Sequence, residues 1–195
     1  WKKAIKYHKK AMALSKEFGG PQVIAESHRN LGRCYFYAEK LDKAERHAQR
    51  AFDVLEEADL HIVELQAEAL YLLGSIYMEK RTFSSSIFYF KQVREMIRYD
   101  QNPRLFLDNQ QNLAAAYQKI GKYKESSKVL FQLLKTEQSL LNYPRILGVL
   151  QSIAINFSMI NQFKRALAYA QDAKEIYRAL IEKNQPIPTW KYYYQ

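Results

Sequence analysis

Four stretches of the chain superpose: NLGRCY (30–35), LLGSIY (72–77), NLAAAY (112–117) and SIAINF (152–157). Their second residues are Leu31, Leu73, Leu113 and Ile153, separated by 42, 40 and 40 positions. Thirteen residues after each stands a small residue: Ala44, Ser86, Ser126 and Ala166. Four further on come Ala48, Phe90, Leu130 and Ala170, and three beyond those Ala51, Val93, Leu133 and Ala173. Steps of three and four keep residues on one helix face. Each unit therefore reads as two helices joined by a short turn, such as 119–122 or 160–162. Leu41, Phe83, Tyr123 and Phe163 open the second helices. Pro21, Pro103 and Pro144 precede apolar-periodic stretches, where a first-turn proline is tolerated. Gly32, Gly74, Ala114 and Ala154 leave room for the paired helix to approach closely. One such hairpin cannot bury its apolar face alone, so copies must stack.

The pattern Leu31-Gly32-Tyr35-Ala44-Ala48-Ala51 and its three relatives resemble the tetratricopeptide repeat. The resemblance implies an all-α, right-handed α-solenoid (superhelix) of stacked antiparallel helix pairs. It covers almost the whole chain as a single solenoid: a second helix of an earlier repeat over 1–20, then repeats at 21–60, 61–102, 103–142 and 143–182. Residues 183–195 read as the start of a further repeat or as a cap, with Trp190 in the family's early-Trp slot and Tyr194 in its small-residue slot. On this reading the chain is a piece of a longer superhelix. The departures are specific. The repeat is 40–42 residues long rather than the family's 34. Glu56, Arg98, Gln138 and Arg178 stand where a proline usually ends the second helix, so the second helices are expected to run a turn or two longer. His28, Leu70, Gln110 and Leu150 replace the early Trp. Such elongated repeats resemble those of kinesin light chains, cell-polarity scaffolds and bacterial regulators that sense peptide pheromones.

Composition narrows the classes further. The 195 residues are 48% hydrophobic and 26% charged, an ordinary globular balance that speaks against disorder. No apolar run approaches the ~18 residues of a membrane span, and WKKAIKYHKK (1–10) has no apolar signal core. One cysteine, Cys34, excludes an intrachain disulfide and fits a reducing, cytoplasmic compartment. The net charge of +10 is uneven: residues 1–20 hold six Lys and one Glu, whereas 21–60 carry a net −2. A solvated helix face accounts for the lysines more simply than a nucleic-acid tract.

No phosphate-binding loop, dinucleotide fingerprint, zinc motif or nucleophile elbow occurs, so no reaction, metal or cofactor is expected. His8 and His28 fall on repeat positions and read as packed interface residues. Cys34 follows Arg33, which would lower its pKa, but a small buried side chain is the simpler reading. Glu64 and Glu68 lie one turn apart and read as a solvated face. The 15 tyrosines invite a base-stacking reading, yet Tyr35, Tyr77, Tyr117, Tyr123 and Tyr177 sit on repeat positions and read as core.

The resemblance implies that ligands lie along the concave face lined by the first helices. The candidate groove residues are Arg29, Asn30, Arg33 and Tyr37, then Tyr71 and Ser75, then Gln111, Asn112 and Lys119, then Gln151, Ile155 and Met159. In the elongated relatives an Asn at the slot of Asn30 and Asn112 resembles a clamp on an extended peptide, since an amide both donates and accepts. An Asn bonded to a neighbouring helix is the alternative. Leu72 and Ser152 interrupt the ladder. Arg29 and Arg33 would hold an acidic group, unless Glu26 pairs with Arg29. Tyr71, Ile155 and Met159 would take apolar side chains. The expected function is a non-catalytic interaction module for a protein or peptide partner. Two rivals stand beside it: the sensor part of a bacterial peptide-responsive regulator, and a nucleic-acid-binding solenoid, which the neutral-to-acidic middle speaks against. Pairing of two copies through the repeat ends is a further expectation.

Overall fold

The computed structural model describes residues 1–182, which form helices and no strand. The helices are α1 (Lys2–Phe18), α2 (Pro21–Tyr37), α3 (Leu41–Glu57), α4 (Val63–Glu79), α5 (Phe83–Met96), α6 (Pro103–Lys119), α7 (Tyr123–Ser139), α8 (Tyr143–Met159) and α9 (Phe163–Glu182). The expectations placed on 183–195, including Trp190 and Tyr194, lie outside the described residues. The chain forms two compact units, Trp1–Ile120 and one beginning at Gly121. The boundary falls between α6 and α7, inside the stretch read as one repeat.

Proline starts α2 and α6 and takes the second position of α8, where its missing N–H removes no helical bond. The hairpin turns share one device. At the ends of α2, α4 and α8 the residues Glu39, Arg81 and Asn161 adopt φ of 58°, 59° and 61°. The next N–H then reaches back to the aromatic that closes the motif: Lys40 to the Tyr35 carbonyl at 2.9 Å, Thr82 to Tyr77 at 2.9 Å, Gln162 to Phe157 at 2.8 Å. This is a Schellman closure, and it consumes carbonyls that a helix end leaves unpaired. Non-glycine residues accept the left-handed cost of about 1–2 kcal/mol because two hydrogen bonds hold each turn. Gly121, in the same register with φ of 73°, is free of that cost.

The second-helix positions of the first three repeats are core, whereas in α9 only Ala173 is buried, Ala166 being half-buried and Ala170 exposed. Ala44, Ala48, Ala51, Ser86, Phe90 and Ser126 are fully buried. The two glycines opposite them do different work. A Cβ on Gly32 would stand 3.3 Å from the Ala44 carbonyl oxygen and the Ala48 nitrogen, so here the backbones of α2 and α3 meet. A Cβ on Gly74 would stand 2.5 Å from the Phe90 ring, so here a large side chain fills the space. Ser86 Oγ donates to the Gly74 carbonyl at 2.8 Å, and Asn109 Nδ2 to the Phe90 carbonyl at 2.9 Å, while Asn109 Oδ1 is buried without a donor. The lengthening expected of the second helices is not uniform. α3 and α7 have 17 residues, the same as the first helices, and α5 stops after 14. There Ile97 turns extended and buries its side chain.

In the second unit the small slot holds Ser126. Asn156 of α8 is fully buried and donates to Ser126 Oγ at 2.9 Å and Ser127 Oγ at 3.1 Å. Glu137 of α7 is also fully buried, with Arg145 Nε 2.6 Å from its Oε1.

Candidate functional site

In the first unit the facing sides of α2, α4 and α6 enclose a cavity of about 450 Å³. Helix periodicity explains the choice of lining. Arg29, Arg33, Phe36 and Tyr37 repeat at three- and four-residue steps along α2; Glu68, Tyr71, Leu72, Ser75, Met78 and Glu79 do so along α4. Arg104, Leu105, Asp108 and Asn112 complete it from α6, with Asn102 at that helix's N-cap.

The charges balance, three guanidinium groups against three carboxylates. Arg29 Nη1 lies 2.9 Å from Glu68 Oε2, across from α2 to α4. Arg104 Nε lies 3.8 Å from Asp108 Oδ2, one turn along α6. Arg33 and Glu79 form no ion pair with any described residue. Arg29 Nε is buried without a hydrogen-bond acceptor. The alternative of a Glu26–Arg29 pair is not what the structure holds: Glu26 accepts from Gln22 Nε2 at 3.0 Å instead. Of Glu64 and Glu68, Glu64 is exposed, as a solvated face requires, and Glu68 is half-buried. Glu64 accepts from Asn102, and Glu68 holds Arg29. Half-buried partners on separate helices attract more strongly than exposed residues three apart on one helix.

Asn112 Nδ2 donates to Tyr71 Oη at 2.9 Å. Asn112 is thus bonded to a neighbouring helix, α6 to α4, within the cavity lining. Burial pushes the Tyr71 phenol up to about 12, and the Asp108 charge adds to the shift. Tyr71 is thus a neutral hydroxyl across the physiological range. At the other edge Trp1 stacks on Tyr37, ring centroids 4.9 Å apart.

Six of the candidate groove residues line this cavity: Arg29, Arg33, Tyr37, Tyr71, Ser75 and Asn112. Asn30, Gln111 and Lys119 do not. Asn30 and Gln111 each stand one residue from a lining position, and a step of about 100° carries them round the helix. Lys119 is exposed at the end of α6. Gln151, Ile155 and Met159 belong to α8 of the second unit, where Ile155 and Met159 are 56% and 55% exposed. Sequence reasoning missed Phe36, Met78, Asn102, Arg104 and Leu105. The signal for Arg104 was its position four residues before Asp108. Phe36, Met78 and Leu105 carried none, because apolar residues there read as core. Leu72 lines the cavity but is buried, packed over Gly32.

A second cluster joins α2 to α3. His28 Nδ1 lies 3.1 Å from His47 Nδ1, and the His47 ring stacks on Tyr35. Burial first, then His47, Lys16 and Arg50, lower the His28 pKa to about 4. Burial lowers that of His47 as well, helped by Arg46, Lys9 and Lys16. A base whose folded pKa lies below its unfolded value of 6.5 stabilises the fold fully above pH 6.5 and progressively less as the pH falls towards 4. Urea unfolding between pH 7 and pH 4.5 is expected to show this loss, and His28→Phe to flatten it. An unchanged slope in the variant would place the acid sensitivity elsewhere. Burial also pushes the Cys34 thiol up, outweighing Arg33, so it is an inert core residue. No group of three or more His, Cys, Asp or Glu side chains among the described residues could hold a metal ion.

The family model described as tetratricopeptide repeat matches residues 1–57. No curated protein matches the chain in sequence. Among solved structures, BtubC (BKLC) from P. vanneervenii superposes with a TM-score of 0.84 at 18% identity, covering 96% of this chain and 76% of that one. A putative kinesin light chain with nearly identical TPR-like repeats from Podosopora anserina gives 0.73 at 19% identity, covering 95% and 89%. The apo form of RapI gives 0.79 at 16% identity, covering 92% and 65%. At these identities the likeness is one of fold. Residues 1–57 thus match the tetratricopeptide repeat model, and the chain has the all-α fold of TPR-like repeat proteins.

Proposed function

We propose that this chain is a non-catalytic protein-interaction module and that the α2/α4/α6 cavity takes an extended peptide segment. The observation that carries the reading is the cavity itself. Arg33 and Glu79, without ionic partners, stand beside the Asn112–Tyr71 pair, and Phe36, Tyr37 and Met78 supply apolar surface. A peptide offers matching parts: amides for Asn112, charged side chains of either sign, and apolar side chains between them. A nucleic-acid backbone would seek a one-signed tract, and this lining is balanced. The fold is one typical of protein–protein interaction. A reducing, cytoplasmic compartment suits the free thiol of Cys34, and no helix among the described residues is long and apolar enough to cross a membrane.

The test is capture from source lysate by the wild-type chain and by an Arg33→Glu/Asn112→Ala variant, each with and without nuclease. The wild type is expected to retain a protein that the variant loses by about tenfold or more, since a bonded charge is worth roughly 1.5–3 kcal/mol. Nuclease should change nothing. Capture abolished by nuclease and indifferent to the substitutions would sink the peptide reading.

A further inference from the structure

A second cavity, of about 410 Å³, opens on another face of α2. The end of α1, the first two turns of α2 and the last two turns of α3 line it. Its volume lies within the range of about 300–1,000 Å³ in which small-molecule sites fall. Ile24 and Val54 give it apolar walls, and Lys16, His28 and Arg50 bring nitrogen groups to them. His28 stands one residue before Arg29. A step of about 100° round the helix separates this pocket from the α2/α4/α6 cavity.

The repeat register sets this interface apart. The slots of Lys16, His28 and Arg50 hold Glu56, Leu70 and Gln92 at the next interface, then Arg98, Gln110 and Gln132, then Gln138, Leu150 and Asp172. Leu70, Gln110 and Leu150 are buried, at 3%, 2% and 4% exposure, and Glu56 accepts from Gln66 at 2.7 Å. Among these four interfaces only the first combines three groups able to carry positive charge. A half-buried imidazole stands there in a slot that packing fills elsewhere.

The charge of the lining is unbalanced. Arg50 Nη1 lies 2.5 Å from Glu57 Oε1, which leaves the rest of its fork open. Lys16 forms no ion pair with a described residue, nor do Lys9 and Arg46, which add positive potential at His47. The His28–His47 contact of 3.1 Å between Nδ1 atoms needs one donor. With His28 donating, its Nε2 is an open base, and protonation there leaves the bond between the rings intact.

We propose that this pocket binds a small organic anion, a carboxylate on an apolar body, and that His28 takes up a proton as it binds. Lys16 and Arg50 hold the carboxylate, the imidazolium adds a third donor, and Ile24 and Val54 receive the body. In the free chain, burial and the charges of Lys16 and Arg50 keep His28 neutral down to about pH 4. An anion beside it favours the imidazolium and raises that value. The complex then holds more protons than the free chain between the two values, so affinity rises as the pH falls. A carboxylate stays charged over most of that range, whereas a phosphate ester, with a second ionisation near ~6, loses a charge within it.

The probe is naphthalene-2-carboxylate, with naphthalene-2-carboxamide as its neutral twin, added to the full chain and followed by methyl NMR at pH 7.5 and 5.5. The carboxylate is expected to shift the Ile24 and Val54 methyl signals and to bind about threefold or more tighter at pH 5.5. The twin should bind about tenfold or more weaker, with no pH dependence. Lys16 is exposed, so Lys16→Ala should stay folded by circular dichroism and bind the carboxylate more weakly. His28→Leu, which installs the residue found at positions 70 and 150, should still bind the carboxylate but lose the pH dependence. Equal binding of carboxylate and amide overturns the proposal, as does wild-type affinity in Lys16→Ala. So does a pH slope that is absent from the wild type or survives in His28→Leu. Shifts at the Leu72 and Met78 methyls in place of Ile24 and Val54 assign the anion to the other cavity and overturn it too.

Discussion

Arg145→Ala is expected to lower the stability of the second unit by about 3 kcal/mol or more. Its guanidinium sits 2.6 Å from a carboxylate of Glu137 that is fully buried. Removing one member of a buried pair leaves an ion in a medium that solvates it poorly, and such losses run to roughly 3–5 kcal/mol. The expectation is not that the pair adds much net stability. Replacing both members by apolar groups of similar size is often neutral. Glu137→Gln in the Arg145→Ala background should therefore recover part of the loss. Urea unfolding followed by circular dichroism measures all three variants. A loss below about 1 kcal/mol for Arg145→Ala would show that Glu137 is compensated without it.

Phe90→Ala is the second large effect, at about 3–5 kcal/mol, the range for emptying a core aromatic site. The ring is fully buried and occupies the space that Gly74 leaves. That geometry makes a coupled prediction. In the wild type, Gly74→Ala places a Cβ 2.5 Å from the Phe90 ring, so overpacking of about 1–3 kcal/mol is expected. In the Phe90→Ala background the same substitution should cost far less, because the added methyl enters the vacated space. A double-mutant cycle reads the difference. Additive losses would mean that ring and glycine do not share one space. Gly32→Ala offers the contrast. Its neighbours include α3 backbone atoms, which no side-chain truncation removes.

Much of the fold was legible because the repeat is periodic in two ways. The short period of three and four residues marks the buried faces, so Ala44, Ser86 and Ser126 read as packing positions and are fully buried. The long period marks the pairs, so helix starts and turns recur 40 to 42 residues apart. The left-handed turns at 39, 81 and 161 were not legible. Glu, Arg and Asn share no turn signature, and the closure depends on backbone hydrogen bonds that any residue can make.

The cavity was legible by element and by six of its fifteen lining residues. Positions one turn apart on a first helix share a face, which is why Arg29 and Arg33, or Tyr71 and Ser75, were named together. Apolar lining such as Phe36 and Met78 was not, because the same residue types fill the core.

The sequence by itself determined the period, the helix pairing and the faces to be buried. Those depend on the spacing of side-chain types along a chain of known helical pitch. The tertiary structure alone decided what each polar group does with its charge. Arg29 has a carboxylate at Glu26, three residues before it, and another at Glu68 on the next first helix; it holds the second. Asn112 faces Tyr71, 41 residues earlier. Spacing along one helix measures neither separation across two helices nor burial, and those two quantities set the strength of an electrostatic contact.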